Sequence, residues 1–176
     1  MKKIILFAAM IMMLGLVAQE AKAQGAKRIG GQLAYGTKDL NLGFGARGEF
    51  NITDNISIVP KFTYYLGKSE AGVSVKGWAL DADAHYYFTT DGLNFYALAG
   101  LAYSNRSSTV PATPAIPPFF PGTPETTDSD RLLGLNIGGG VNFAQSESLV
   151  PFAEVRYNTG FKAVLISAGV SFPIGK

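Results

Sequence analysis

Eight ionisable side chains fall at alternate positions of segments that switch between polar and apolar residues: Arg47 and Glu49, Lys61, Asp81, Asp83 and His85, Glu154 and Arg156. Residues two apart on a strand share a face. The run Asp81-x-Asp83-x-His85 therefore sets two carboxylates beside the single histidine of the chain, a donor set able to hold a divalent cation. The charge count points to different chemistry. Three bases and His85 stand against four carboxylates, and charges enclosed in a narrow space are tolerated only when paired or hydrogen-bonded. The expectation is a buried ion-pair network with no metal and no cofactor. The alternative is a narrow conduit for protons or small solutes lined by the same residues. The chain has no cysteine, which excludes thiolate chemistry, disulfides and a lipoprotein anchor.

Such a face needs strands to present it, and eight segments alternate with period two: residues 29–36, 40–52, 56–66, 73–88, 93–104, 132–144, 149–158 and 163–172. In the second, Leu40, Leu42, Phe44, Ala46, Phe50 and Ile52 share a face opposite Gly43, Gly45, Arg47 and Glu49. In the sixth, Leu133, Leu135, Ile137, Val141 and Phe143 oppose Gly134, Asn136, Gly138, Gly140 and Asn142. Across the turn between the second and third segments, Arg47 falls opposite Lys61, a like-charge pair that Glu49 or Asp81 would have to bridge. No helical stripe of useful length interrupts the pattern. The fold class is all-β, an eight-stranded antiparallel up-and-down barrel.

The ends of the chain set its address. Residues 1–23 have the three parts of a secretory signal: Lys2 and Lys3, an apolar run over 4–17, and small residues at Ala21 and Ala23 that place cleavage before Gln24. The leader carries Lys2, Lys3, Lys22 and Glu20, so residues 24–176 hold 12 basic and 12 acidic side chains out of totals of 15 and 13, and are net neutral. Neutrality and the lack of any basic platform argue against a nucleic-acid partner.

The polar faces are rich in Gly, Ser, Asn and Ala, which suit the interior of a small barrel better than a solvated surface. Aromatic residues gather near the strand ends on the apolar face: Trp78 and Tyr103 at one end, Tyr86, Phe88 and Phe95 at the other. That is the arrangement of a barrel with its apolar side towards lipid. With both termini on the inner side, the turns at 53–55, 89–92 and 145–148 are the short inner ones, and the long connections fall in the outward set. The longest, 105–130, carries six prolines around Phe119-Phe120. Proline opposes ladder extension, so this loop is expected to project without strand pairing, and Phe119 and Phe120 either meet a surface partner or, in a disordered loop, fold back on the barrel rim.

Three stretches carry a family resemblance. They are Phe95-Tyr96-Ala97-Leu98-Ala99-Gly100-Leu101-Ala102-Tyr103, Pro151-Phe152-Ala153-Glu154-Val155-Arg156-Tyr157, and the closing run Ser167-Ala168-Gly169-Val170-Ser171-Phe172. With them the chain resembles the small eight-stranded bacterial outer-membrane barrels, such as outer membrane protein X and the N-terminal barrel of outer membrane protein A. The resemblance implies a monomeric transmembrane barrel in the outer membrane of a Gram-negative cell, in contact with lipid and lipopolysaccharide. It also implies that Ser167, Gly169, Val170 and Phe172 form the signal read by the outer-membrane insertion machinery. Pro173-Ile174-Gly175-Lys176 departs from the family, which usually ends on the aromatic. Barrels of this size that modify lipid A combine His and Ser on one strand face; here Tyr87 stands two residues after His85, so that pattern is absent. The expected function is non-catalytic, in envelope structure or surface adhesion. A narrow small-solute channel is the alternative, and a secreted lipocalin-like binding barrel the third.

Overall fold

The computed structural model describes residues 27–38, 40–70, 73–89, 92–114, 119, 121–143 and 148–174. The leader lies outside the described residues. Eight strands follow in chain order: β1 (Lys27–Gly36), β2 (Leu40–Asn51), β3 (Ile56–Glu70), β4 (Val73–Tyr87), β5 (Leu93–Val110), β6 (Thr126–Phe143), β7 (Val150–Asn158) and β8 (Ala163–Ile174). Each pairs antiparallel with its sequence neighbours, and β1 pairs with β8, which closes the barrel. Closure leaves the body of the sheet without an edge. The start of β1 and the end of β8 lie at one rim, here the proximal rim, where Lys27 faces Ile174. The connections after β1, β3, β5 and β7 lie at the distal rim.

Alternation decides which residues face out. Leu33, Tyr35, Phe44, Leu135, Ile137 and Phe172 are exposed on the outer surface, while Gln32, Arg47, Lys61, Asp83, Asn136 and Glu154 are buried in the lumen. A barrel of eight strands has room inside only for side chains, and glycine makes that room. A Cβ on Gly45 would strike the Phe62 carbonyl oxygen, and one on Gly169 would strike the Gly31 carbonyl oxygen and lie 2.9 Å from the Phe152 ring. On the outer face, Phe44–Tyr64, Phe62–Trp78 and Trp78–Tyr103 form an aromatic band across β2–β5, with ring centroids 5.9, 6.4 and 5.7 Å apart. Tyr86 and Phe88 pack edge-on near the proximal rim.

Two expectations are corrected. Leu40 does not share the outward face of β2. The register shifts between Leu40 and Gly43, and this bulge turns Leu40 into the lumen, where it is buried. The 105–130 stretch is not an unpaired loop: β5 and β6 stay paired from Asn105↔Arg131 out to Val110↔Thr126, and Thr113 bridges Thr123. The first proline is Pro111, so nothing before it opposes the ladder, and the Ser/Thr/Asp run 126–130 is as able to pair as its partner. The one long connection, 111–125, falls in the outward set as expected, while those at 37–39, 71–72 and 159–162 are short. Phe119 is exposed at the tip; Phe120 lies outside the described residues.

Candidate functional site: the charged lumen

Seven of the eight sequence-identified charges form ion pairs within hydrogen-bonding distance, and they divide into two groups along the barrel axis. The larger is a hub on Glu154. Its Oε1 accepts from Lys61 Nζ at 2.6 Å and from Arg156 Nη1 at 2.7 Å. Lys61 also pairs with Asp83 Oδ2 at 2.7 Å, and Arg156 Nη2 donates to Asp81 Oδ2 at 2.9 Å. Asn136 Nδ2 donates to both Asp81 and Asp83, at 3.0 and 2.9 Å, and Asn158 Nδ2 donates to Asn136 Oδ1 at 2.7 Å. Each charge thus meets two or more partners, as a desolvated ion requires.

The connectivity carries the hub across the lumen. Lys61 is on β3 and Glu154 on β7, four strands apart in a ring of eight, so this pair spans the full diameter. Asp81 on β4 reaches Arg156 on β7, three strands round the ring.

The second group lies towards the proximal rim. Arg47 Nη2 donates to Glu49 Oε2 at 3.1 Å, and the Tyr87 hydroxyl donates to Glu49 Oε1 at 2.6 Å. Asn142 donates to the Tyr87 hydroxyl at 2.9 Å. The Arg47 guanidinium lies 4.0 Å from the centroid of Phe152. Arg47 and Lys61 are cross-strand partners, and they are separated by different acids: Glu49 takes Arg47, while Asp83 and Glu154 rather than Asp81 take Lys61. Arg28 joins this group at 3.4 Å from Glu49. It makes four cations against four carboxylates, so the lumen balances without a charge on His85.

His85 is the exception among the eight. Its ring stacks on Tyr96 at 4.3 Å between centroids and 12° between planes, and its Nε2 stands 3.7 Å from Glu154 Oε2. Ser57 is its cross-strand partner, but the Ser57 hydroxyl donates to Asn51 Oδ1 at 2.8 Å, away from the imidazole. Asp81 and Asp83 are committed to Arg156 and Lys61. Among the described residues no group of three or more His, Asp or Glu is arranged to hold a metal ion.

Above the hub, towards the distal rim, lies a layer with no charge. Ala34, Leu40, Tyr65, Ala79, Phe161, Ala163 and Leu165 pack as one buried apolar cluster. Phe161 comes from the connection between β7 and β8 and meets Tyr65 edge-on at 5.8 Å. Its backbone N–H donates to Asn158 Oδ1 at 2.8 Å, which ties the lid to the polar network below. Leu165 and Tyr65 occupy inward positions of strands whose alternation already placed them inside. Phe161 is in a turn and Leu40 beyond a bulge, so no periodic signal marks either.

Residues 6–172 match the family described as outer membrane protein beta-barrel domain. The chain belongs to this family. Solved structures share the fold at low identity. The N-terminal β-barrel domain of Pseudomonas aeruginosa OprF is 20% identical with a TM-score of 0.60, covering 86% of this chain and 100% of that one. Neisserial surface protein A is 21% identical at 0.58, covering 85% and 97%. Ail, the attachment invasion locus protein of Yersinia pestis, is 13% identical at 0.52, covering 85% and 97%. No curated protein sequence matches. As a member of this outer-membrane family, the protein turns its apolar outer face to lipid. A water-soluble lipocalin-like barrel, with apolar residues inside and polar ones outside, is the reverse of this arrangement.

The final strand holds the residues read as an insertion signal. Ser167 points into the lumen, Gly169 packs under Phe152, and Phe172 is exposed on the outer face. Strand β8 does not stop at the aromatic: Pro173 pairs with Arg28 and Ile174 with Lys27.

Proposed function

We propose that this protein is a non-enzymatic outer-membrane barrel whose lumen is sealed, exported through a cleaved leader over residues 1–23. It serves the envelope structurally or in surface attachment, with the projecting β5–β6 hairpin as its contact element. The observation that carries the sealed lumen is the diametric Lys61–Glu154 pair, with Asp83 and Arg156 attached and every side chain buried. Opening a path past it requires parting charges with no bulk water at hand, which is expensive in a medium of low dielectric. The lid around Phe161 closes the distal mouth a second time.

The non-enzymatic reading is supported by the state of the reactive groups. The one histidine is clamped on an aromatic ring, its neighbouring serine is engaged elsewhere, and the carboxylates are neutralised by fixed cations. The attachment reading is supported by the hairpin. Residues 126–131 are exposed on both faces, and hydroxyl pairs Ser107–Ser129 and Thr109–Thr127, at 2.8 and 3.0 Å, line its length. It holds the exposed Phe119 beyond the rim.

Planar-bilayer recording of the folded mature protein tests the seal. The expected trace shows no steady conductance. A steady single-channel conductance that disappears on altering Arg47 or Asp83 would establish the narrow channel instead.

A further inference from the structure

We propose that Lys38 and Lys162 form a binding site for a lipid headgroup phosphate at the distal rim. These lysines are the two described non-glycine residues with positive φ, at 65° and 53°. A side chain in the left-handed region is strained, and Gly or Asn would relieve it. Strain of this kind, where it is found, motivates a functional reading. That both strained positions hold the same cationic residue is the first observation.

The second is their placement. Thr37 N–H donates to the Val164 carbonyl at 2.9 Å, and Val164 N–H donates to the Thr37 hydroxyl at 3.0 Å. The β1–β2 and β7–β8 turns are thereby locked side by side, with one lysine on each. The β7–β8 turn is held on its other flank as well: Thr159 N–H donates to the Leu135 carbonyl, and Leu135 N–H to the Thr159 hydroxyl at 2.7 Å. Both lysines are exposed, and neither has an ionic partner among the described residues.

The third is what lies around them. Directly below, the lipid-facing positions of the same strands are Tyr35, Leu42, Val164 and Ile166, all exposed and apolar. A lysine at the margin of such a belt lays its stem along apolar surface and puts its ammonium at headgroup depth. Further round the rim the outward positions carry Lys76 and Arg131, also basic and exposed, whereas Asp128 and Asp130 take the opposite strand parity. Among the described residues, the charged outward-parity strand positions at this rim are basic, which fits an anionic headgroup. The inference rests on membrane placement alone and is independent of whether the lumen is sealed.

The test uses the full mature chain folded into phosphatidylcholine vesicles, with spin-labelled phosphatidic acid as the probe of boundary-lipid selectivity. The expected result is a preference for phosphatidic acid over spin-labelled phosphatidylcholine that falls about fivefold per lysine removed in Lys38→Asn and Lys162→Asn. Asparagine accepts the left-handed backbone, and heat-modifiable gel mobility in phosphatidylcholine verifies that the variants fold. Lys38→Arg with Lys162→Arg retains the preference. An Asn double variant that keeps the wild-type preference overturns the proposal. So does inorganic phosphate that displaces the labelled lipid at equal concentration, since the site would then take free phosphate rather than a headgroup.

Discussion

The Glu154 hub and the Phe161 lid fill successive layers of the same lumen with opposite chemistry. The hub is charged throughout: Lys61, Arg156, Asp81 and Asp83 surround one carboxylate, and its strength depends on every ion keeping its partners. The lid is apolar throughout, built from Ala34, Leu40, Tyr65, Phe161 and Leu165, and its strength scales with area removed from water. Damage to the two should therefore differ in kind. A hub that loses one ion keeps the others buried and uncompensated, whereas a lid that loses one ring is left with a smaller apolar contact that water at the rim can reach.

The largest effect is expected for Glu154→Ala. Lys61 and Arg156 each lose their shared acceptor, and breaking a buried pair costs about 3–5 kcal/mol. Urea unfolding in lipid vesicles, followed by gel mobility, measures it; a loss below about 1 kcal/mol would show that the hub is hydrated and weak. Phe161→Ala comes next, at about 3 kcal/mol, the low end for a buried phenylalanine because its turn lies at the rim. This variant should remain non-conducting in planar bilayers while the hub is intact. Conductance from it alone would move the barrier from hub to lid.

Asn158→Ala tests the tie between the layers. It removes the acceptor for Phe161 N–H and the donor to Asn136, and is expected to cost about 1–2 kcal/mol. Arg28→Gln should cost less than about 1 kcal/mol, because its contact with Glu49 is long and part-exposed. Thr127→Ala, on the exposed hairpin, should stay within about 0.5 kcal/mol of wild type by the same unfolding measurement. A larger loss there would mean that the hairpin supports the barrel rather than merely projecting from it.

Much of the lumen was legible in the chain because its strands keep strict parity. Arg47, Glu49, Lys61, Asp81, Asp83, His85, Glu154 and Arg156 all sit at positions whose two-residue alternation points inward, and all are buried there. Their partners were not legible. Parity says that Lys61 is inside; it does not say that a carboxylate from the opposite wall, four strands away, will reach it. The lid was missed for a related reason. Leu40 lies past a bulge and Phe161 in a turn, where the period-two rule no longer holds. The proline-rich stretch misled in the other direction. Its prolines begin at Pro111, and the hydroxyl-rich segments on either side pair with each other wherever proline does not remove a donor.

The sequence by itself determined the eight strands, their inward and outward faces and the nearly balanced inventory of lumen charges, because each follows from spacing along one chain. The tertiary structure alone decided which acid takes which base, that Arg28 completes the balance, that an apolar lid stands above the hub, and that Lys38 and Lys162 are neighbours. The Arg28 contact follows from the β1–β2 register, and the other three depend on where the barrel closes. Closure brings β1 to β8 and β3 within reach of β7, distances that no local periodicity encodes.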